Sequence, residues 1–291
     1  MKVKNTSLAH LLEINLAMIF ISTSGALGRH IDLPVPLIIV SRSILAVIVL
    51  AIYCKWKGFS FKVLKKDRFP ILASGLFLAL HWLTYFYSLK LSNVAIGMLS
   101  LFTYPILTSL LEPLLLKTKF QRMHLFLGLL VLTGIYFLVP AFDLDNSYTI
   151  AVGIGLLSAL FYALRNIILK NRTSSYNGSS LMCFQLFVIT IFLSPVLFFY
   201  ELDQITTQWQ WLVVLAVLTT SIGHTLFLNS FKHFSITTAS ILSSVQPVFG
   251  IIIAAVFLGE IPTLMTILGG FLILSSVIIE SIRSYKKKET S

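Results

Sequence analysis

The sequence predicts an all-α integral membrane protein, with ten transmembrane helices arranged as two inverted-topology five-helix repeats. Three observations support this prediction. Hydrophobic residues make up 57% of the chain and charged residues only 11%, whereas a soluble domain carries about 25% charged residues. Ten apolar runs follow one another along the chain. In addition, two well-separated segments of the chain resemble each other.

The apolar runs have the length of membrane-spanning helices, because about 20 helical residues cross a hydrocarbon layer of about 30 Å. Numbered as spans 1 to 10, they occupy residues 11–29, 35–54, 69–89, 94–116, 124–141, 149–169, 181–200, 209–231, 236–258 and 263–283. Short connections separate them, such as DLPVP at 32–36 and GEIP at 259–262. Glu13 and Asn15 interrupt span 1 and no small-residue cleavage pattern follows it, so we expect a retained helix rather than a signal peptide.

The distribution of Lys and Arg predicts the orientation of the spans, since cytoplasmic loops carry the excess of basic residues. With a cytoplasmic N-terminus, one side of the membrane receives Lys2, Lys4, Lys55, Lys57, Lys62, Lys65, Lys66, Arg68, Lys117, Lys119, Arg122, Lys170, Arg172, Lys232, Arg283, Lys286, Lys287 and Lys288. The other side receives only Arg29 and Lys90. We therefore expect a multi-pass protein of the cell membrane with both termini cytoplasmic. The net charge of +11 reflects this topology, and we expect no nucleic-acid partner.

A repeat links the two halves of the chain. The segment SLKLSNVAIGMLSLFTYP at 88–105 is matched by SFKHFSITTASILSSVQP at 230–247. The offset of 142 residues pairs Lys90 with Lys232 and Pro105 with Pro247. Five spans per copy is an odd number, so the second copy enters the membrane from the opposite side. The predicted copies are residues 1–146 and 147–291. Inverted repeats of this kind are typical of secondary transporters, with the substrate site where the copies meet.

The repeated pattern also resembles a known family. The second half reads LFLNSFKHFSITTASILSSVQPVFGIIIAAVFLGEIPTLMTILGGFLIL, and the first half YFYSLKLSNVAIGMLSLFTYPILTSLLEPLLLKTKF followed by GLLVLTGIYFLV. These segments resemble the EamA type of the drug/metabolite transporter (DMT) superfamily. The resemblance implies ten helices, a central cavity lined by spans 1, 3, 4, 6, 8 and 9, and export or exchange of small metabolites. The first copy departs from the pattern, since Thr118 stands where the second has Glu260.

Polar side chains inside the spans are the candidate binding residues, because polar groups in hydrocarbon need a partner, a cavity or a task. They are Asn15, His81, Tyr85, Ser100, Tyr104, Tyr162, Arg165, His224, Ser243 and Gln246. Tyr104 and Gln246 are repeat mates, and each precedes a proline that frees a backbone carbonyl about one turn earlier. Together with His81 they lie about 15–18 Å from a span end. We expect these three residues to line one water-accessible cavity.

Other roles for the same residues stay open from sequence alone. Small residues such as Ser100 also let membrane helices pack closely. A histidine in a span either binds substrate or carries a proton, or it is a neutral ring bonded to a neighbouring hydroxyl group. Arg165 either extends to the headgroups or contacts an anion in the cavity. We place Arg42 outside the cavity, with an ion pair or a backbone contact.

We interpret the sequence as that of a secondary transporter, an exporter or exchanger that moves a small organic metabolite such as an amino acid by alternating access. The alternative is a channel-like protein or a non-transporting membrane scaffold. A membrane enzyme is the least expected class, because the sequence has no grouped nucleophile and base. The histidines and the two cysteines lack metal-ligand spacing, so we expect neither metal nor cofactor. The expected partners are a small-molecule substrate and membrane lipids, and a monomer would suffice.

Overall fold

The computed structural model describes residues 2–117, 122–138, 143, 145–169, 172, 175–201, 203–230 and 243–289. Over these residues the chain is helical apart from short connections, and it contains no strand. The all-α class that the sequence predicts is therefore confirmed. Four positions used above lie outside the described residues: Thr118, Lys119, Lys170 and Lys232.

The α-helices are numbered in chain order. They are α1 Lys2–His30, α2 Val35–Trp56, α3 Arg68–Leu91, α4 Val94–Leu101, α5 Tyr104–Leu116, α6 Met123–Leu138, α7 Ser147–Leu169, α8 Gly178–Leu193, α9 Asp203–Val214, α10 His224–Ser230, α11 Gln246–Leu258 and α12 Leu264–Glu289. Short 3₁₀ segments lie at Lys65–Asp67 and Ser194–Phe198. A π-helical segment, Leu215–Gly223, joins α9 to α10 into one stretch.

Six helical stretches of the described chain are long and apolar enough to cross a membrane. They are Val35–Trp56, Lys65–Leu91, Val94–Leu116, Ser147–Leu169, Gly178–Phe198 and Asp203–Ser230. Shorter apolar helices lie at Met123–Leu138, Gln246–Leu258 and Leu264–Glu280, and they overlap spans 5, 9 and 10. These lengths agree with an integral membrane protein of several spans, whereas the count of ten crossings stays a prediction.

Proline interrupts two of the predicted spans near their middle. Span 4 divides into α4 and α5, because Pro105 has no N–H to continue the helical hydrogen-bond ladder. In span 9, Pro247 occupies the second position of α11, where the backbone N–H groups have no helical partner and proline is tolerated. The sequence predicted one helix over 94–116. The structure corrects this to two helices separated by Phe102 and Thr103.

Two groups of packed helices, each drawn from both halves of the chain, form the centre of the protein. In group A, α3, α4 and α5 pack on α7, and in group B, the α9–α10 stretch and α11 pack on α1. The repeat offset pairs α3 with the α9–α10 stretch, α4 and α5 with the α11 region, and α7 with α1. Each group is therefore the repeat equivalent of the other. Two further pairs, α2 with α8 and α6 with α12, also join the halves.

Small residues allow the central helices to approach one another closely. Gly155 of α7 faces Ser100 of α4, and a methyl group at position 155 would lie 2.5 Å from the Cβ of Ser100. Gly97 likewise faces Leu89 of α3, at 2.7 Å for the same hypothetical methyl group. Lipid tails are as apolar as these side chains, so close van der Waals contact holds such helices together. Ser100 therefore belongs to a packing face, one of the two roles that its sequence position allowed.

Candidate functional site

A cavity lies between group A and group B. Its walls are Met18, Ile21, Ser24, His81, Trp82, Tyr85, Leu101, Phe102, Tyr104, Tyr162, His224, Phe227, Ser243 and Gln246. These residues come from spans 1, 3, 4, 6, 8 and 9, the six that the family resemblance implied. The cavity volume of about 30 Å³ leaves room for roughly two water molecules. An organic solute therefore requires a wider conformation than this one.

Seven of the ten residues predicted from the sequence line this cavity: His81, Tyr85, Tyr104, Tyr162, His224, Ser243 and Gln246. Asn15, Ser100 and Arg165 are not in its wall. Ser100 packs on α7, and Asn15 is half-buried on α1. The sequence analysis expected span 1 to line the cavity but named Asn15 there, and it missed the α1 residues that lie in the wall, which include Ser24. A sequence sign of Ser24 is the run of hydroxyl residues at 22–24 inside an otherwise apolar span.

Aromatic rings form much of the cavity wall. The ring centre of Tyr162 lies 4.6 Å from that of His81 and 4.8 Å from that of Tyr104, all within group A. Trp82 of group A meets His224 of group B at 5.8 Å. The wall therefore combines apolar ring faces with a few phenol and imidazole groups, which is the usual composition of a small-molecule site.

The hydrogen bonds of His81 determine which ring nitrogen carries a proton. The hydroxyl group of Ser158 donates to the backbone carbonyl of His81 at 2.9 Å. It also lies 2.8 Å from Nδ1 of the same histidine. A serine hydroxyl has one hydrogen, so Nδ1 is the donor and the Ser158 oxygen the acceptor of this second bond. In its neutral form the ring therefore has Nε2 as its acceptor, and His81 lines the cavity.

The repeat mates Tyr104 and Gln246 meet at this cavity. Tyr104 is the first residue of α5 and Gln246 the first residue of α11. The Tyr104 hydroxyl lies 3.4 Å from the hydroxyl of Ser243, just before α11. The Ser22 hydroxyl of α1 lies 2.9 Å from the backbone carbonyl of Gln246. The proline-induced breaks of the two halves therefore contribute equivalent positions to one wall.

Arg165 is held inside the protein, next to the cavity but not in its wall. The side chain is buried, and it donates to Gln185 Oε1 at 2.8 Å and to Asn166 Oδ1 at 3.1 Å. Gln185 in turn donates to Ser74 of α3 at 2.9 Å. The guanidinium carbon lies 5.6 Å from the ring centre of Tyr162. Arg165 therefore stands behind the aromatic wall and does not extend to the protein surface.

Arg42 of α2 is buried, and among the described residues it makes neither the ion pair nor the backbone hydrogen bond that was expected for it. Its Nε and Nη2 donate to the hydroxyl oxygen of Thr220 at 3.2 and 2.7 Å. The guanidinium carbon lies 4.0 Å from the ring centre of Trp82 and 5.4 Å from that of Phe86. Cation–π contacts of this kind contribute about 0.5–2 kcal/mol. The expectation was wrong because the nearest neighbours of Arg42 are a hydroxyl group and ring faces.

A polar cluster of Arg29, Lys90, Val94 and Glu260, the Arg29 cluster, joins group A to group B at one end. Arg29 forms an ion pair with Glu260 at 3.1 Å, and both residues adjoin group B. Arg29 also donates to the backbone carbonyl of Lys90 at 2.7 Å, and Glu260 accepts from the Val94 backbone N–H at 2.8 Å. These last two bonds cross to group A. The glutamate of the L-G-E motif therefore holds the two groups together.

A second polar cluster, at the opposite end of α3, ties group A internally. Arg172 after α7 forms an ion pair with Asp67 at 3.1 Å, and Tyr176 donates to the same carboxylate at 2.7 Å. This hydrogen bond to Asp67 raises the pKa of the Tyr176 phenol above its usual range. The cluster fixes the start of α3 to the end of α7, so it favours movement of group A as one body.

Comparison with known proteins identifies the family of the chain. Residues 10–139 and 149–282 match the profile of the EamA-like transporter family. The chain belongs to this family. This EamA-like transporter therefore has the family assignment that the repeated sequence pattern suggested.

Relatives of this EamA-like transporter carry transporter names. "Uncharacterized transporter YxxF" of Bacillus subtilis (strain 168) is 25% identical over 293 residues, covering 95% of this chain and 90% of that protein. "Pseudopaline exporter CntI" of Pseudomonas aeruginosa (strain UCBPP-PA14) is 25% identical over 267 residues, covering 90% and 92%. A solved structure entitled "Crystal structure of protein" has a TM-score of 0.67 at 16% identity, covering 96% of this chain and 98% of that chain. This last likeness concerns the fold alone.

Proposed function

We propose that this EamA-like transporter exports or exchanges a small organic metabolite across the cell membrane by alternating access. One observation carries the proposal: the helix starts at Tyr104 and Gln246, which the repeat pairs, line a single cavity between groups A and B. A site built from equivalent positions of two inverted copies can open to either side of the membrane. The two copies can pack in two near-equivalent ways, and each packing opens the site to one side.

The proposal includes ten membrane crossings, two inverted copies at 1–146 and 147–291, and cytoplasmic termini. The family profile supports the two copies, since it matches once in each half of the chain. The equivalence of groups A and B under the repeat offset supports their symmetry. The bias of Lys and Arg supports the orientation. In this orientation the Arg29 cluster faces the outside and the Asp67–Arg172 pair faces the cytoplasm.

Transport then requires that group A and group B separate at one end at a time. Opening to the outside would break the bond from Arg29 to Lys90 and the bond from Glu260 to Val94. The Asp67–Arg172 ion pair would stay intact, because both residues adjoin group A. The cavity of about 30 Å³ would widen during this movement and admit the solute.

A small polar solute, such as an amino acid, suits the cavity wall in this proposal. Phenol, imidazole and amide groups offer hydrogen bonds, while ring faces of Tyr162 and Trp82 cover apolar parts of a solute. One relative is named as a pseudopaline exporter, which supports export of an organic metabolite. The solute for this chain is proposed from the chemistry of its own cavity.

Release of a solute mixture from proteoliposomes tests this proposal. Vesicles are loaded with a mixture of amino acids, organic acids, amines and sugars, and the released solutes are identified by mass spectrometry. We expect a subset of solutes to leave faster than from protein-free vesicles, with saturable kinetics and acceleration by the same solute outside. Unsaturable release of all small solutes would indicate a channel, and release equal to that of protein-free vesicles would contradict transport of these solutes.

A further inference from the structure

Arg42 carries a positive charge into the protein core, and no described residue supplies a negative partner for it. Its side chain is 0% exposed, and Thr220 is the acceptor of its Nε and Nη2 hydrogen bonds. Its third nitrogen, Nη1, has no hydrogen-bond partner in the described part of the chain. A hydroxyl group and aromatic ring faces attract a cation, but they carry no negative charge that would neutralise it. An unbalanced charge at such a position is costly and usually marks a functional site.

The buried carboxylates of the described chain are engaged elsewhere. Asp67 pairs with Arg172 at the start of α3. Glu280 of α12 contacts both His124 and Arg283. The balancing charge for Arg42 is therefore not supplied by the described residues, which points to a negative charge from outside the protein.

Arg42 lies directly behind the cavity wall. Its guanidinium group stacks on Trp82, whose ring lines the cavity. Arg165 stands behind Tyr162 on another side of the same wall. The two guanidinium charges next to this wall have the same sign.

We infer that the cavity selects solutes that carry a negatively charged group, a carboxylate in the class of small organic metabolites, and that Arg42 is the residue that determines this selectivity. The inference rests on the proposed function and narrows its substrate class. A carboxylate in the cavity balances the guanidinium charge through the wall formed by Trp82. A solute without a negatively charged group leaves the charge unbalanced and is excluded.

The charge preference of the cavity can be measured with thiol reagents. Ser243, a small residue of the wall, is changed to cysteine in a chain that also carries Cys54→Ala and Cys183→Ala. The purified protein is treated with an anionic reagent, sulfonatoethyl methanethiosulfonate, or a cationic one, trimethylammonium-ethyl methanethiosulfonate. Each rate is divided by the rate of that reagent with a free thiol in solution. We expect the anionic reagent to be favoured by about tenfold, because at an effective dielectric constant of about 50 a unit charge about 10 Å away changes the two rates about threefold in opposite directions.

Substitutions of Arg42 make the test specific. Arg42→Met should remove most of the anion preference, and Arg42→Lys should retain it. Ser43→Ala, a change at a fully buried neighbour on α2, should leave the ratio unchanged. The inference is overturned if the ratio of the anionic to the cationic rate is at or below one with Arg42 intact, or if Arg42→Met does not alter this ratio. In either case, solute release from vesicles would still support transport. If neither reagent reacts while a cysteine at Asp203 does, the cavity does not open to water and the proposed function fails as well.

Discussion

Alanine in place of Tyr104 is expected to lower the initial rate of solute release from proteoliposomes by several-fold to about a hundredfold. The residue begins α5, its hydroxyl lies 3.4 Å from that of Ser243 across the cavity, and its ring meets that of Tyr162 edge to face at 4.8 Å between ring centres. Loss of one hydrogen bond to a bound solute costs about 0.5–1.5 kcal/mol when neutral and about 1.5–3 kcal/mol when charged. The variants His81→Ala and Gln246→Ala should behave alike, because both residues line the same wall.

Two further variants separate a binding role from packing. Tyr104→Phe keeps the ring and removes only the hydroxyl group. The decrease in its release rate should therefore equal the part of the alanine effect that comes from the lost hydrogen bond. Ser43→Ala lies on α2, outside the cavity, and removes only a bond to the carbonyl of Ile39 within the same helix. Its release rate should equal that of the wild type. Wild-type rates in all three alanine variants, at equal membrane expression, would mean that Tyr104, His81 and Gln246 only pack.

Valine in place of Gly134 is expected to abolish stable packing of α6 on α12. A methyl group at position 134 would lie 2.8 Å from the backbone carbonyl oxygen of Gly269 and 2.7 Å from a side-chain carbon of Ile273. A backbone atom cannot move aside as a flexible side chain can, so the two helices must separate. Overpacking typically costs about 1–3 kcal/mol, and occasionally more. We expect a large drop in the thermal midpoint, measured by fluorescence-detected gel filtration after heating.

Gly128 provides the matched control for this change on the same helix. A methyl group at position 128 would meet no described heavy atom within 4 Å. Gly128→Val therefore introduces the same side chain into α6 without a clash, and its thermal midpoint should stay close to that of the wild type. Equal midpoints for the two valine variants would contradict the close crossing of α6 and α12.

Sequence patterns were sufficient for the membrane class and for half of the residues of the cavity wall. A membrane span needs enough apolar residues to cross the hydrocarbon layer. A run of that length can therefore be located without knowing which helices pack beside it. Tyr104 and Gln246 could be found because proline marks a helix break and the repeat marks equivalent depths. The break itself was underestimated. Pro105 was expected to free one carbonyl, whereas the chain divides into two helices at 102–103.

The environment of the buried arginines could not be read from the sequence. Helical spacing indicates which residues share a face of α2, but not which neighbour that face meets. The contact of Arg42 with Thr220 depends on how α2 packs on the π-helical segment Leu215–Gly223. Arg165 likewise depends on Gln185 of α8. The cavity volume was equally out of reach, because it depends on which packing of groups A and B is populated.

Reversible cross-linking of group A to group B at the Arg29 cluster tests alternating access most directly. Lys90→Cys and Glu260→Cys are combined in a chain with Cys54→Ala and Cys183→Ala, and the two thiols are joined by a short bifunctional methanethiosulfonate. Lys90 adjoins group A, Glu260 adjoins group B, and both contact Arg29. The single Lys90→Cys variant, treated in the same way, is the control. We predict that solute release stops in the cross-linked protein and returns after reduction, whereas undiminished release with complete cross-linking would contradict the account.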